Sequence, residues 1–127
     1  MATITNQAAL SYNGVTTLSN IAVGELVEVL TATKTAADTT YTAGGVKTFV
    51  ISLVNSSAAA LTGLTVTDTL GSYTFSGNTL YPLTYVTGSL LYYVNGALQA
   101  TPTVTATAPL TVTGVTVPAG GSAMLIY

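Results

Sequence analysis

At 127 residues the chain is long enough for one domain with a real core. It holds four acidic residues, two lysines, no histidine and no cysteine, so 5% is charged, against about 25% in ordinary soluble domains. Disulfides, thiolate chemistry and cysteine metal sites are excluded, and so is the basic footprint that nucleic acid or an anionic membrane surface requires.

The hydrophobic fraction of 49% argues against disorder of the charged, apolar-poor kind. A mean hydropathy of +0.61 would suit a membrane span. Thr, Gly, Asn or Pro interrupts every apolar run, however, well before the ~18 residues that a spanning helix needs. The opening Met1-Ala2-Thr3-Ile4-Thr5-Asn6 has neither a basic start nor an apolar block, so no secretory signal is expected there. The charges end at Asp68, and the remaining polar surface is Thr, Ser, Asn and Gln. Such side chains hydrogen-bond without repelling a neighbour, which suits a molecule surrounded by copies of itself.

Period-two alternation with many β-branched residues predicts strands. In chain order they fall at 2–12, 15–22, 25–35, 46–54, 62–69, 83–94 (broken near Gly88), 97–105, 110–117 and 122–127. About a fifth of the chain is Thr, and it alternates with Val or Leu as in Leu64-Thr65-Val66-Thr67 and Leu110-Thr111-Val112-Thr113. That pattern sets an apolar face against a wet one. Asn13-Gly14 and Asn95-Gly96 are the strongest hairpin turns, because a primed turn needs positive φ at both central residues. Gly44-Gly45, Gly71, Gly77-Asn78 and Pro118-Ala119-Gly120-Gly121 punctuate the rest. No segment carries a helical stripe. The predicted fold class is all-β, an antiparallel sandwich of the immunoglobulin-like kind.

The stretch Thr33-Lys34-Thr35-Ala36, then Tyr41 to Ser56 (YTAGGVKTFVISLVNS), then Leu64-Thr65-Val66-Thr67-Asp68-Thr69-Leu70 resembles the conserved repeat of bacterial and archaeal cell-surface proteins, the domain of unknown function numbered eleven. The closing Val117-Pro118-Ala119-Gly120-Gly121-Ser122-Ala123 is similar to that family's last turn, and Ser57 departs from the Gly usual there. The resemblance covers roughly residues 25–127. It implies an immunoglobulin-like sandwich on a cell or spore surface, extracellular and without known catalysis.

The segment from Ile4 to Asn20 resembles the hairpin that closes this same repeat, yet it precedes the module. Residues 1–24 are therefore expected to be donor strands for a neighbouring subunit, and 25–127 a sandwich lacking its own closing hairpin. Donation between copies is β-strand addition; because donor and acceptor patches differ, it propagates head to tail as a filament. The expected partner is thus the chain itself, as a homopolymer. The expected donor side chains are Ile4, Ala8, Leu10, Tyr12, Val15, Leu18 and Ile21. The acceptor groove is expected along strands near 46–54 and 110–127, at Val50, Leu53, Val112, Val115, Leu125 and Tyr127. Two alternatives stand beside this: the hairpin folds back onto its own domain, or the chain is one slice of a longer array.

Few groups here suit other chemistry. Without His or Cys the commonest bases and nucleophiles are missing. The acids are isolated along the chain; a glycosidase-like pair would need two strands, as with Glu28 and Asp68. No enzyme and no cofactor are expected. Lys34 and Asp68 are the pair to watch, either as a strand-end ion pair or, with Glu25 or Glu28 assisting, as an isopeptide bond. Asp38, Asp68 and Asn55 lack the density of a calcium loop and read as turn formers, so no metal is expected. The Thr-X-Thr stretches fall at irregular spacing and read as wet strand faces, not an ice lattice. Tyr81, Tyr85, Tyr92 and Tyr93 raise a glycan platform, although alternation sends Tyr92 and Tyr93 to opposite faces. On that reading the chain is an adhesin or ligand-binding repeat of a longer surface protein, working through residues 71–94.

Overall fold

The computed structural model describes residues 3–127; Met1 and Ala2, the latter opening the first predicted strand, lie outside the described residues. The described residues form an all-β molecule. Its strands are β1 Thr3–Asn6, β2 Ala9–Tyr12, β3 Val15–Leu18, β4 Ala22–Glu25, β5 Leu30–Ala36, β6 Phe49–Asn55, β7 Leu61–Asp68, β8 Tyr73–Phe75, β9 Asn78–Leu80, β10 Leu91–Val94, β11 Ala97–Gln99, β12 Thr103–Thr107, β13 Leu110–Val117 and β14 Ser122–Ile126.

Two antiparallel sheets make the sandwich. One has five strands in the order β11-β10-β14-β6-β5, the other three in the order β12-β13-β7. The core lies between them, where Ile51 and Leu53 of β6, Tyr92 of β10 and Ala123 and Leu125 of β14 meet Leu110, Val112, Val115 and Val117 of β13. On β13 the apolar positions step from 110 and 112 to 115 and 117. Strict alternation would turn the second pair outward. Gly114, at φ +80°, absorbs the extra residue as a bulge, and Gly63, at φ +66°, does the same on β7. Both glycines supply a conformation that other residues adopt at a cost.

Two side chains tie the layers together. The Tyr92 hydroxyl crosses the core, donating to the Thr116 carbonyl at 2.6 Å and accepting from the Thr116 amide at 3.0 Å. Buried Asn55 donates to the carbonyls of Ala59, Val117 and Pro118 at 2.8, 3.2 and 3.0 Å. Its Oδ1 accepts from the Ser57 amide and hydroxyl at 3.0 and 2.7 Å. Asn55 thereby fixes the β6–β7 and β13–β14 turns against each other.

Several boundaries differ from expectation. The strand predicted at 25–35 begins only at Leu30, and that at 83–94 shrinks to Leu91–Val94. The segment at 97–105 divides into β11 and β12. A small hairpin, β8–β9, turns at Ser76-Gly77, both with positive φ, where no strands were expected.

Candidate assembly interface

Residues 3–25 form a separate two-stranded ribbon. β1 pairs with β4 and β2 with β3, and none of these strands joins a sheet of the sandwich. The Asn13-Gly14 tip has φ +49° and +76°, the geometry of a primed turn. Register sorts the side chains. Tyr12 sits opposite Val15 and Leu10 opposite Thr17, whereas Ala9 sits opposite Leu18. Ile4 lies over Gly24, where an added Cβ would approach its Cγ1 to 3.1 Å. One face therefore carries Ile4, Leu10, Tyr12 and Val15, and Ala8 falls on it by alternation. The other is mixed, with Thr3, Thr5, Ser11 and Thr16 interspersed with Ala9, Leu18 and Val23. The apolar face is left in solvent, with Ile4 and Tyr12 each 74% and Leu10 69% exposed.

The sandwich carries a gap of matching character. β5 and β7 are edge strands of different sheets, and the mouth between them opens into a groove of about 390 Å³. Its walls are apolar: Leu30 and Ala32 of β5, Ile51 and Leu53 of β6, Leu64 and Val66 of β7. The five-stranded sheet outnumbers the three-stranded one by two, and β5 is its edge strand on this side. β7 also offers a row of unpaired backbone groups along its outer edge, the usual template for strand addition.

One end of the groove is closed by a polar cluster. Lys34 Nζ lies 2.7 Å from Asp68 Oδ2, bridging β5 to β7. The Tyr127 hydroxyl donates to the same carboxylate oxygen, and the Leu70 amide donates to Oδ1 at 3.1 Å. Lys34 also stands over the Phe49 ring, 4.4 Å from its centroid. Burial pushes the Asp68 carboxyl upward, but hydrogen bonds from Lys34, Tyr127 and Leu70 outweigh it and hold the group below its ordinary value. Burial, and then the adjoining carboxylate, push the Tyr127 phenol well above its ordinary range. The pair is an ion pair. Glu25 and Glu28 lie on or beside the ribbon, not among these contacts.

The predicted site residues are placed as follows. Of the donor set, Ile4, Ala8, Leu10, Tyr12 and Val15 share one ribbon face, Leu18 points to the other, and Ile21 sits in the irregular stretch before β4. Of the acceptor set, Leu53 borders the groove but is itself buried in the core, at 4% exposure, and Tyr127 belongs to the polar end. Val112, Val115 and Leu125 are sealed in the core, at 2%, 0% and 1% exposure, and cannot receive a strand. This corrects the expected groove: β13 and β14 are interior strands of their sheets, whereas the opening falls between two edges. Val50 alternates onto the outer face of its sheet. The tyrosines do not gather into a platform, since Tyr85 and Tyr92 are buried and Tyr93 faces the opposite side of its strand. No protein-family model, curated protein sequence or solved structure matches this chain.

Proposed function

We propose that the chain is the structural subunit of an extracellular filament, in which the ribbon of one copy fills the β5–β7 groove of the next. The observation that carries this reading is numerical and chemical at once. The smaller sheet is two strands short of the larger, and a two-stranded ribbon with one apolar face stands idle beside it. A lone two-stranded hairpin is marginal in water. Laid along β7, it would extend that sheet to five strands and set Leu10, Tyr12 and Val15 over Leu30 and Ala32. Each aliphatic side chain so buried contributes roughly 1.5–3 kcal/mol.

Donor and acceptor are different surfaces, so each union leaves one of each free and the assembly grows. The near absence of surface charge agrees with a molecule whose neighbours are its own copies. The resemblance to surface repeats supports a cell or spore surface as the place of assembly. The test is electron microscopy and size-exclusion chromatography of the intact chain beside a variant lacking residues 3–24. Filaments from the first and a folded, non-filamentous second are expected. Filaments that persist without the ribbon, or an intact chain that stays monomeric at high concentration, overturn the reading.

A further inference from the structure

The two outer faces of the sandwich are built differently. On the three-stranded sheet, alternation turns threonine outward: Thr65 and Thr67 on β7, Thr111 and Thr113 on β13, Thr103 on β12. The wide sheet keeps that rule only on β5, where Thr31, Thr33 and Thr35 alternate with inward Leu30, Ala32 and Lys34. On its other four strands the rule fails. Register sets Leu98, Tyr93 and Met124 in one row across β11, β10 and β14. Leu91, Ile126 and Val50 form the next row across β10, β14 and β6. Leu91, Leu98, Met124 and nearby Val54 are exposed. The inward positions of β6, β10 and β14 are core residues, so these strands are apolar on both faces. Ala123-Met124-Leu125-Ile126-Tyr127 is accordingly a continuous apolar run, the pattern of a strand covered on both sides. In the single chain only one side is covered.

Charge is missing from this face altogether. None of the six charged residues is on β6, β10, β11 or β14, and the one on β5, Lys34, points inward to Asp68. A partner of either sign gains nothing here, and an identical uncharged face is not repelled. The surface also has relief. A shallow hollow of about 430 Å³ is bordered by Ser52, Val54, Tyr93, Asn95, Ser122 and Met124, a seat for the pliable methionine of a facing copy.

Size decides what kind of contact this is. Four strands at ~4.8 Å spacing and five residues at ~3.3 Å each give a patch of about 320 Å². Two such faces bury roughly 640 Å², less than half of the ~1,600 Å² of a stable interface. Single chains are therefore not held together by it. A ribbon laid along β7 extends the other sheet and leaves this face open on every subunit. A filament then repeats the patch along its length, and weak contacts made many times over act together.

Resting on the filament reading above, we infer that the outer face of β11, β10, β14 and β6 is the surface by which filaments pack side by side. Its occupant is the same face of a copy in the neighbouring filament.

The test uses the intact chain and two single variants. Met124→Lys puts a charge near the middle of the face, so facing copies bring like charges together. Thr103→Lys, on the threonine face, is the matched control. Both positions are exposed, and folding is unchanged by circular dichroism. Wild-type and Thr103→Lys filaments associate into bundles that sediment at low speed. Met124→Lys filaments form in equal yield but stay single by electron microscopy, with a low-speed pellet at least ten-fold smaller. Salt at ~1 M, where screening acts beyond about 3 Å, leaves the wild-type bundles intact because their contact is apolar. Wild-type filaments that remain single, bundling undiminished in Met124→Lys, equal loss in Thr103→Lys, or bundles dissolved by salt each overturns the inference and leaves donation standing. An intact chain that forms no filaments overturns the donation reading, and side-by-side packing falls with it.

Discussion

Asp68 shows how one carboxylate can hold two sheets at their edges. It is 7% exposed and has three donors, from Lys34 on β5, Tyr127 after β14 and its own turn at Leu70. The pair was legible as a candidate in the sequence because lysines and acids are so few. Its aromatic surroundings were not, since nothing local in the chain says that Phe49 and Tyr127 end beside Lys34. Replacing Asp68 with Asn keeps the shape and removes the charge, and it should cost about 2 kcal/mol at neutral pH. The folded-state pKa is lowered, so the native protein binds fewer protons than the unfolded one in that range. The stabilisation is therefore complete above the ordinary carboxylate value near ~4 and is lost as pH falls through the lower folded value. Urea unfolding of the two proteins at several pH values should show a gap that is constant from neutrality to mild acid and closes below it. A gap indifferent to pH would place the cost in packing instead.

At the level of elements, alternation and turn chemistry identified the strands that matter and misplaced those that depend on neighbours. Asn13-Gly14 announces its hairpin because the backbone there requires positive φ. The stretch 83–90 alternates less cleanly and follows directly on Pro82; it forms no strand. Strand order is where local reading fails. Val112, Val115 and Leu125 have the right character for a groove, but β13 and β14 lie inside their sheets and the opening falls between β5 and β7. The ribbon's two faces follow from register alone, and they make a paired prediction. Leu10→Asp puts a charge on the face carrying Ile4, Tyr12 and Val15 and should abolish filament formation. Leu18→Asp, on the opposite face beside Ala9, should leave filaments at or near normal yield by sedimentation. Equal loss in both variants would mean that the ribbon is not buried by one face.

For the molecule as a whole, the filament reading proposed above would have the copies share stability, the ribbon of one making up the imbalance between the five-stranded and the three-stranded sheet of the next. The ribbon is already paired as a hairpin, so docking orders fewer residues than capture of a loose arm would, and preorganisation of this kind favours tight, slowly reversed binding. It follows that an empty groove should be stabilised by a ribbon supplied from outside. The acceptor for this experiment is the Leu10→Asp chain, whose own ribbon cannot donate. A peptide spanning residues 3–25, added at a hundredfold excess over its dissociation constant, stabilises the folded acceptor by about 2.7 kcal/mol through mass action. For a domain of this size that is a rise in Tm on the order of 5–15 °C, readable by differential scanning fluorimetry. The same peptide bearing Leu10→Asp should give no shift, which separates groove filling from a general effect of added peptide. If the wild-type peptide also leaves Tm unmoved while intact chains still polymerise, the copies are joined through some other surface, and the groove between β5 and β7 is not the acceptor.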